Sequence, residues 1–268
     1  MREDKIQIAD AGAPAVVVNP QGASPIVLVC EHASKYIPAG LRHLGLSTAD
    51  REAHIAWDIG AEAVARRLSQ RLDAALVLQR YSRLVYDCNR PPSSLGAMPA
   101  MSELTQIPGN AGLSEEQRRA RTDQIYRPFH ATVSDVVDAR RQAGATPVLV
   151  TIHSFTATYK GQVRHLDLGI LHDSDSRLAD AMLGVARNGK EYSARRNDPY
   201  GPEDGVTHTL NLHRGNDELL NVMLEVRNDL IADESGQIEW AERLAVLLIQ
   251  ALQSIGGQAA DQVLATSS

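Results

Sequence analysis

Only two cysteines, Cys30 and Cys88, occur in the 268-residue chain. They lie in different apolar stretches, form no Cys-x-x-Cys pair, and are too few for the disulfide framework of a small secreted domain. A reducing, cytoplasmic setting is expected. Basic blocks are missing as well. The 27 Lys and Arg and 33 Asp and Glu give a formal charge of -6 spread over both halves, which offers a phosphate backbone no concentrated patch and argues against nucleic acid as a partner. Long hydrophobic runs are also absent. The longest apolar patch, within residues 244–252, is about half a membrane span, and the opening Met-Arg-Glu-Asp-Lys-Ile leads into no apolar signal core. No membrane partner is expected.

What the chain does have is 43% hydrophobic residues, enough to bury one sizeable core, so a single domain over residues 1–268 is expected. Residues 1–24, with two prolines and two glycines around the apolar segment 15–18, read as an N-terminal arm with at most one edge strand. Residues 257–268 read as a frayed C-terminus.

Apolar runs predict strands at 26–30, 74–79, 83–86, 147–152, 168–171 and 221–226. Period-3.6 segments predict helices at 48–53, capped by Ser47, at 58–72, at 176–187 and at 238–255. Ser114-Glu-Glu-Gln117 is a capping box that opens a helical stretch to about Gln142, broken or kinked at Pro128. Residues 93–113 lack periodicity and predict a long loop over a site. Strands alternating with helices of this length imply an α/β fold, its mixed or mostly parallel sheet covered on both faces.

Five apolar runs have polar groups at or beside them: Cys30-Glu-His32, Trp57-Asp58, Asp87-Cys-Asn-Arg90, Thr151-Ile-His-Ser154 and Leu224-Glu-Val-Arg227. In an α/β sheet the carboxyl ends of strands face the ligand crevice. His32 and His153 each end a nearly continuous apolar strand, and two neutral imidazoles with a carboxylate are a catalytic zinc donor set. Asp58 is the preferred carboxylate, at the start of its helix, where N-capping is its alternative use. Glu31 is the alternative ligand, disfavoured because neighbours along a strand point to opposite faces. Glu225 and Arg227, two apart, share a strand face. A carboxylate within Val222-Met-Leu-Glu-Val is suited to general base work, with an intra-strand ion pair as the competing use. Asn89 and Arg90, before two prolines, suit a substrate carboxylate, with Arg83 as a helper. Arg227, Asn197, Tyr200 and His213 are further candidates for the pocket wall.

Taken together, Cys30-Glu-His-Ala-Ser34, Trp57-Asp-Ile-Gly-Ala61, Ser82-Arg-Leu-Val-Tyr-Asp-Cys-Asn-Arg90, Ile152-His-Ser-Phe155, Asn197-Asp-Pro-Tyr200 and Glu225-Val-Arg-Asn-Asp-Leu230 resemble the N-formylglutamate amidohydrolase family. Three of these motifs also resemble the wider zinc carboxypeptidase and aspartoacylase group. The resemblance implies a three-layer α/β/α, phosphorylase/hydrolase-like fold and one zinc ion. It implies zinc ligation by His153, water activation by Glu225 and carboxylate binding by Asn89 and Arg90. The implied substrate is a small N-acyl amino acid, with N-formyl-L-glutamate leading. The chain departs from the wider group's His-x-x-Glu motif, because Lys35 stands where the glutamate would be.

Overall fold

The strand Ile26–Cys30 (β2) is buried at every position, as expected of a central strand covered on both faces. In the computed structural model, which describes residues 12–189, 191–215 and 219–267, it belongs to a mixed seven-stranded sheet. The other strands are Ala15–Val18 (β1), Ala75–Gln79 (β3), Val148–Phe155 (β4), Leu168–Leu171 (β5), Ala194–Arg196 (β6) and Leu220–Arg227 (β7). Their order is β1-β3-β2-β4-β7-β5-β6. The centre is parallel: β3, β2, β4 and β7 run the same way, with Val29 opposite Thr151 and Glu225 opposite His153. β1 and β5 pair antiparallel to β3 and β7.

Alternation along the strands divides the core into two layers. Ile26, Leu28, Val150, Ile152, Val222 and Leu224 pack toward the helices Ala61–Leu72 (α2), Arg177–Gly189 (α5), Glu234–Ile255 (α7) and Gln258–Ser267 (α8). Val27, Val29, Leu149 and Met223 face the opposite way, onto Phe129, Val133 and Val137 of the helix Arg127–Gln142 (α4) and the segment holding Tyr81 to Met98. His153 and Glu225 have the parity of this second layer, so they project there at the carboxyl ends of their strands. Among the described residues no helix is long and apolar enough to cross a membrane.

Several segments differ from the sequence reading. Residues 83–86 form a turn, not a strand: the Ser82 hydroxyl donates to Ala56 O at 2.7 Å and accepts from Leu84 N at 3.1 Å, and Ser82 O accepts from Val85 N. A serine that satisfies nearby backbone groups competes with sheet pairing. The helix expected from Asp58 starts at Ala61, which releases the Asp58 carboxylate from capping. Pro128 does not break its helix. A π-helical turn, Thr122–Tyr126, joins Glu115–Arg121 (α3) to α4 and takes up the ring's steric demand. The expected loop 93–113 contains a small hairpin, Met101–Ser102 with Thr105–Gln106. α7 begins four residues early, capped by Asp233. The C-terminal segment expected to fray is the helix α8, anchored by buried Ala259, Ala260 and Val263. The first eleven residues of the expected arm lie outside the described residues.

Candidate active site

Glu31 and His32 lie in a turn immediately after β2, so strand alternation no longer separates their side chains. His32 Nδ1 approaches Asp58 Oδ2 at 3.2 Å, and His153 Nδ1 approaches the same oxygen at 2.8 Å. The three buried residues offer one donor atom each, all within 4.8 Å of one another. The far nitrogens of both rings face other carboxylates: His32 Nε2 is hydrogen-bonded to Asp87 Oδ1 at 2.8 Å, and His153 Nε2 lies 3.0 Å from Glu31 Oε2 in an ion-pair contact without hydrogen-bond geometry. Carboxylates on the outward nitrogens of metal-binding histidines fix the ring orientation and raise the basicity of the inward nitrogen. Asp87 and Glu31 stand in those positions. Glu31 thus sits on the far side of the His153 ring from Asp58, outside the group formed by His32, Asp58 and His153.

The backbone explains how Asp58 reaches inward. Asp58 N donates to His32 O at 3.0 Å, tying the two segments together. Two residues on, Gly60 has φ +81°, and a Cβ there would lie 2.2 Å from Ile231 O. Only glycine permits this left-handed entry to α2 against the backbone of the short 3-10 turn Asn228–Ile231. Ser154 N also donates to Asp58 Oδ2, at 3.3 Å.

Arg83 bridges the acids, with Nη1 on Asp58 Oδ1 at 3.2 Å and Nη2 on Asp87 Oδ2 at 3.0 Å. Both ends of its guanidinium fork are thus engaged by the protein's own carboxylates at the cavity wall. The buried charges shift strongly. Burial opposes ionisation of Asp58, yet His32 and His153 hold its carboxyl far below the usual range. Burial likewise raises Glu31, but the His153 charge and contacts with His153 and Thr209 bring it down to about 2. Burial lowers His32 and His153, and their carboxylate partners reverse the sign, raising His153 well above an ordinary imidazole.

Glu225 behaves differently. It is 5% exposed, its Oε2 has no hydrogen-bond partner among the described residues, and burial pushes its carboxyl up to about 7. Its close approach to β5 requires Gly169, whose added Cβ would sit 3.2 Å from Glu225 Cβ and 2.3 Å from Asp198 O. Glu225, His32, Asp58 and His153 line one cavity of about 380 Å³, together with Arg83, Asn89, Arg90 and Tyr200. Arg90 Nη1 donates to Asn89 O at 3.1 Å and Gly205 O at 2.6 Å, which fixes the guanidinium at the wall. Asn89 is buried and holds the chain segment behind that wall, donating to Val206 O and accepting from Thr209 N at 3.0 Å. The Tyr200 hydroxyl accepts from Arg164 Nη1 at 3.0 Å.

Three expected pocket residues lie elsewhere. Arg227 turns to Asp167 and Asp229, at 3.0 and 2.7 Å, because the strand ends there and both acids flank it. Its ion pair with Glu225 does not form. Asn197 accepts from His172 N at 2.9 Å in a left-handed turn. His213 pairs with His130 at 2.9 Å, and His130 donates to Cys88 O at 2.8 Å, placing the pair behind the cavity wall. The sequence reading also missed members. Asp87 carried a signal, as an acid at the start of a polar run. His54 and Glu103, 2.7 Å apart on the cavity rim, come from segments with no periodic or motif signal.

Residues 24–232 match the N-formylglutamate amidohydrolase family, and the chain belongs to it. An N-formylglutamate deformylase from Pseudomonas putida is 26% identical over 261 residues, covering 88% of this chain and 93% of its own. Among solved structures, the gene product Atu2144 from Agrobacterium tumefaciens is 56% identical with a TM-score of 0.89, covering 91% of this chain and 96% of that one. The N-formylglutamate amidohydrolase from Ralstonia eutropha JMP134, at 19% identity and a TM-score of 0.60, covers 89% and 97% and shares the α/β fold.

Proposed function

We propose that this member of the N-formylglutamate amidohydrolase family is a zinc-dependent hydrolase that cleaves the amide bond of a small N-acyl amino acid. The observation that carries the reading is the convergence, in one cavity, of a His32, Asp58 and His153 donor set with the buried carboxylate of Glu225, one oxygen of which has no hydrogen-bond partner among the described residues. Two imidazole nitrogens and one carboxylate oxygen, with both outward nitrogens facing acids, fit a catalytic zinc site that keeps a position open. A divalent cation held there supplies Lewis acidity, polarising a carbonyl and acidifying water.

The protein's own groups supply the rest. Glu225 has its carboxyl raised by burial toward neutrality, which suits a group that both takes and gives a proton. It can take a proton from the attacking water and deliver it to the departing amine nitrogen, so that the C–N bond breaks to a carboxylic acid and a free amino acid. Arg90 receives the substrate's carboxylate, its guanidinium already fixed by two backbone carbonyls, which lowers the ordering cost of binding. Asn89 supports Arg90 from behind. Asp87, Glu31 and Arg83 hold the histidines and Asp58 in register.

N-formyl-L-glutamate, the substrate in the relatives' names, is the reference compound for this class. The test is a hydrolysis screen of N-formyl, N-acetyl and N-succinyl amino acids with zinc supplied and with zinc chelated. Zinc-dependent release of free amino acid supports the reading. A folded, zinc-loaded protein that hydrolyses none of them contradicts it.

A further inference from the structure

Behind one wall of the cavity a guanidinium is held by aromatic rings. Phe155 ends β4 two residues beyond His153 and has the same strand parity. Arg164 follows the small hairpin of Thr158–Tyr159 with Gln162–Val163, and its backbone N donates to Ala157 O at 2.8 Å. The Arg164 guanidinium lies 5.7, 4.5 and 4.9 Å from the ring centroids of Phe155, Tyr159 and Tyr200. All three rings line the cavity, and their faces attract the cation and fix it.

Arg164 Nη1 donates to the Tyr200 hydroxyl at 3.0 Å. A guanidinium has no acceptor, so the phenol oxygen accepts here and its own proton is left to point away from Arg164. Tyr200 is therefore a donor on the cavity wall, with its oxygen polarised by the cation behind it. Burial and the Glu225 charge raise the phenol above its ordinary range, so the proton stays on at neutral pH. The turn that carries Tyr200 is packed beside Glu225: a Cβ added at Gly169 would meet Asp198 O at 2.3 Å and Glu225 Cβ at 3.2 Å.

Every N-acyl amino acid offers such a donor two acceptors, its α-carboxylate and its acyl oxygen. The carboxylate is taken by Arg90, and the acyl oxygen lies with the reacting carbon beside Glu225. We infer that the Tyr200 hydroxyl donates to the acyl oxygen of the scissile amide, and that Arg164 is the positioning residue that holds it there. The inference rests on the amidohydrolase reading and adds a catalytic residue to it. As water adds to the acyl carbon, the carbonyl electron pair moves onto the acyl oxygen and Glu225 takes the water's proton. The Tyr200 hydrogen bond strengthens with that charge, and its proton is not transferred. When the pair returns, the C–N bond breaks and Glu225 gives the proton to the amine. A preorganised donor that meets developing charge stabilises the transition state more than the bound substrate, so its loss falls on kcat.

The experiment compares zinc-loaded wild type, Tyr200→Phe, Arg164→Met and the double variant on N-formyl-L-glutamate and N-formyl-L-leucine. Tyr200→Phe should lower kcat about 10- to 100-fold on both compounds, with KM changed by less than about threefold. Arg164→Met keeps an apolar stem on the rings and removes the donor, so kcat should fall several-fold. The double variant should lose no more than Tyr200→Phe alone, because the arginine acts through the hydroxyl. Zinc per chain and the thermal midpoint should stay close to wild type in all three. A KM rise confined to the glutamate compound would make Tyr200 and Arg164 receivers of a side-chain carboxylate and overturn the inference. Unchanged kcat in Tyr200→Phe, additive losses in the double variant, or a Tyr200→Phe protein that sheds zinc or stability would overturn it too. Each of these leaves the amidohydrolase reading intact. A zinc-loaded wild type that hydrolyses neither compound overturns both.

Discussion

Replacing Glu225 by glutamine separates a general base from a structural carboxylate, because the two roles predict opposite changes in stability. Glu225 is 5% exposed and has one carboxylate oxygen without a partner. Burial lifts its carboxyl from the ordinary 4.5 to about 7. Between those values the folded protein holds a proton that the unfolded chain has lost, so wild-type stability falls as pH rises through this window. Moving the carboxyl from 4.5 to about 7 corresponds to roughly 3 kcal/mol of penalty above pH 7, at ~1.36 kcal/mol for each tenfold change in proton affinity. Glutamine carries no charge and keeps the shape. In metal-free protein at pH 8, Glu225→Gln should therefore raise stability by up to about 3 kcal/mol, read as a higher urea midpoint. Turnover per bound zinc should fall by at least ~10²-fold, the lower end for a lost acid–base group. A folded, zinc-loaded variant with near wild-type turnover, or a variant that loses stability at pH 8, would refute this role.

Asp87→Asn removes the acid behind His32 Nε2 and should weaken zinc binding about 10- to 100-fold in a competition titration with a chelator. Arg90→Lys keeps the charge but loses the fork, so KM for an N-formyl amino acid should rise about tenfold or more with kcat little changed. Acid should unfold the protein through His130, whose imidazole is lowered by burial and by His213 to about 3. A depressed folded value means the unfolded chain takes up the proton first, so stability is lost as pH falls from about 6.5 toward 3, at up to ~1.4 kcal/mol per pH unit. His130→Gln should flatten that slope in urea titrations at several pH values.

The strands of the sheet were legible because burial on both faces writes them as continuous apolar runs: β2, β5 and β7 lie within a residue of their expected bounds. The same sign misled at residues 83–86, where Ser82 diverts an apolar segment into a turn through its own hydrogen bonds. The convergence of His32, Asp58 and His153 could be anticipated from polar residues ending buried runs. Glu31 could not be placed, because strand alternation applies only while the chain remains a strand, and β2 ends one residue before it. Arg227 shows the reverse limit. It shares a face with Glu225 in principle, but Asp229, two residues on, and Asp167 from a loop distant in sequence decide its direction. The rim pair His54 and Glu103 depends on a contact 49 residues apart in the chain, which no local pattern records.

Zinc stoichiometry of the purified protein and of His153→Ala tests the central claim most directly. Equilibrium dialysis against buffered zinc should give one tightly bound ion per wild-type chain, and the tight site should be lost in a His153→Ala variant that keeps its fold. A wild-type protein that binds no zinc, or a folded His153→Ala variant that holds one ion with unchanged affinity, would contradict a metal centre at His32, Asp58 and His153.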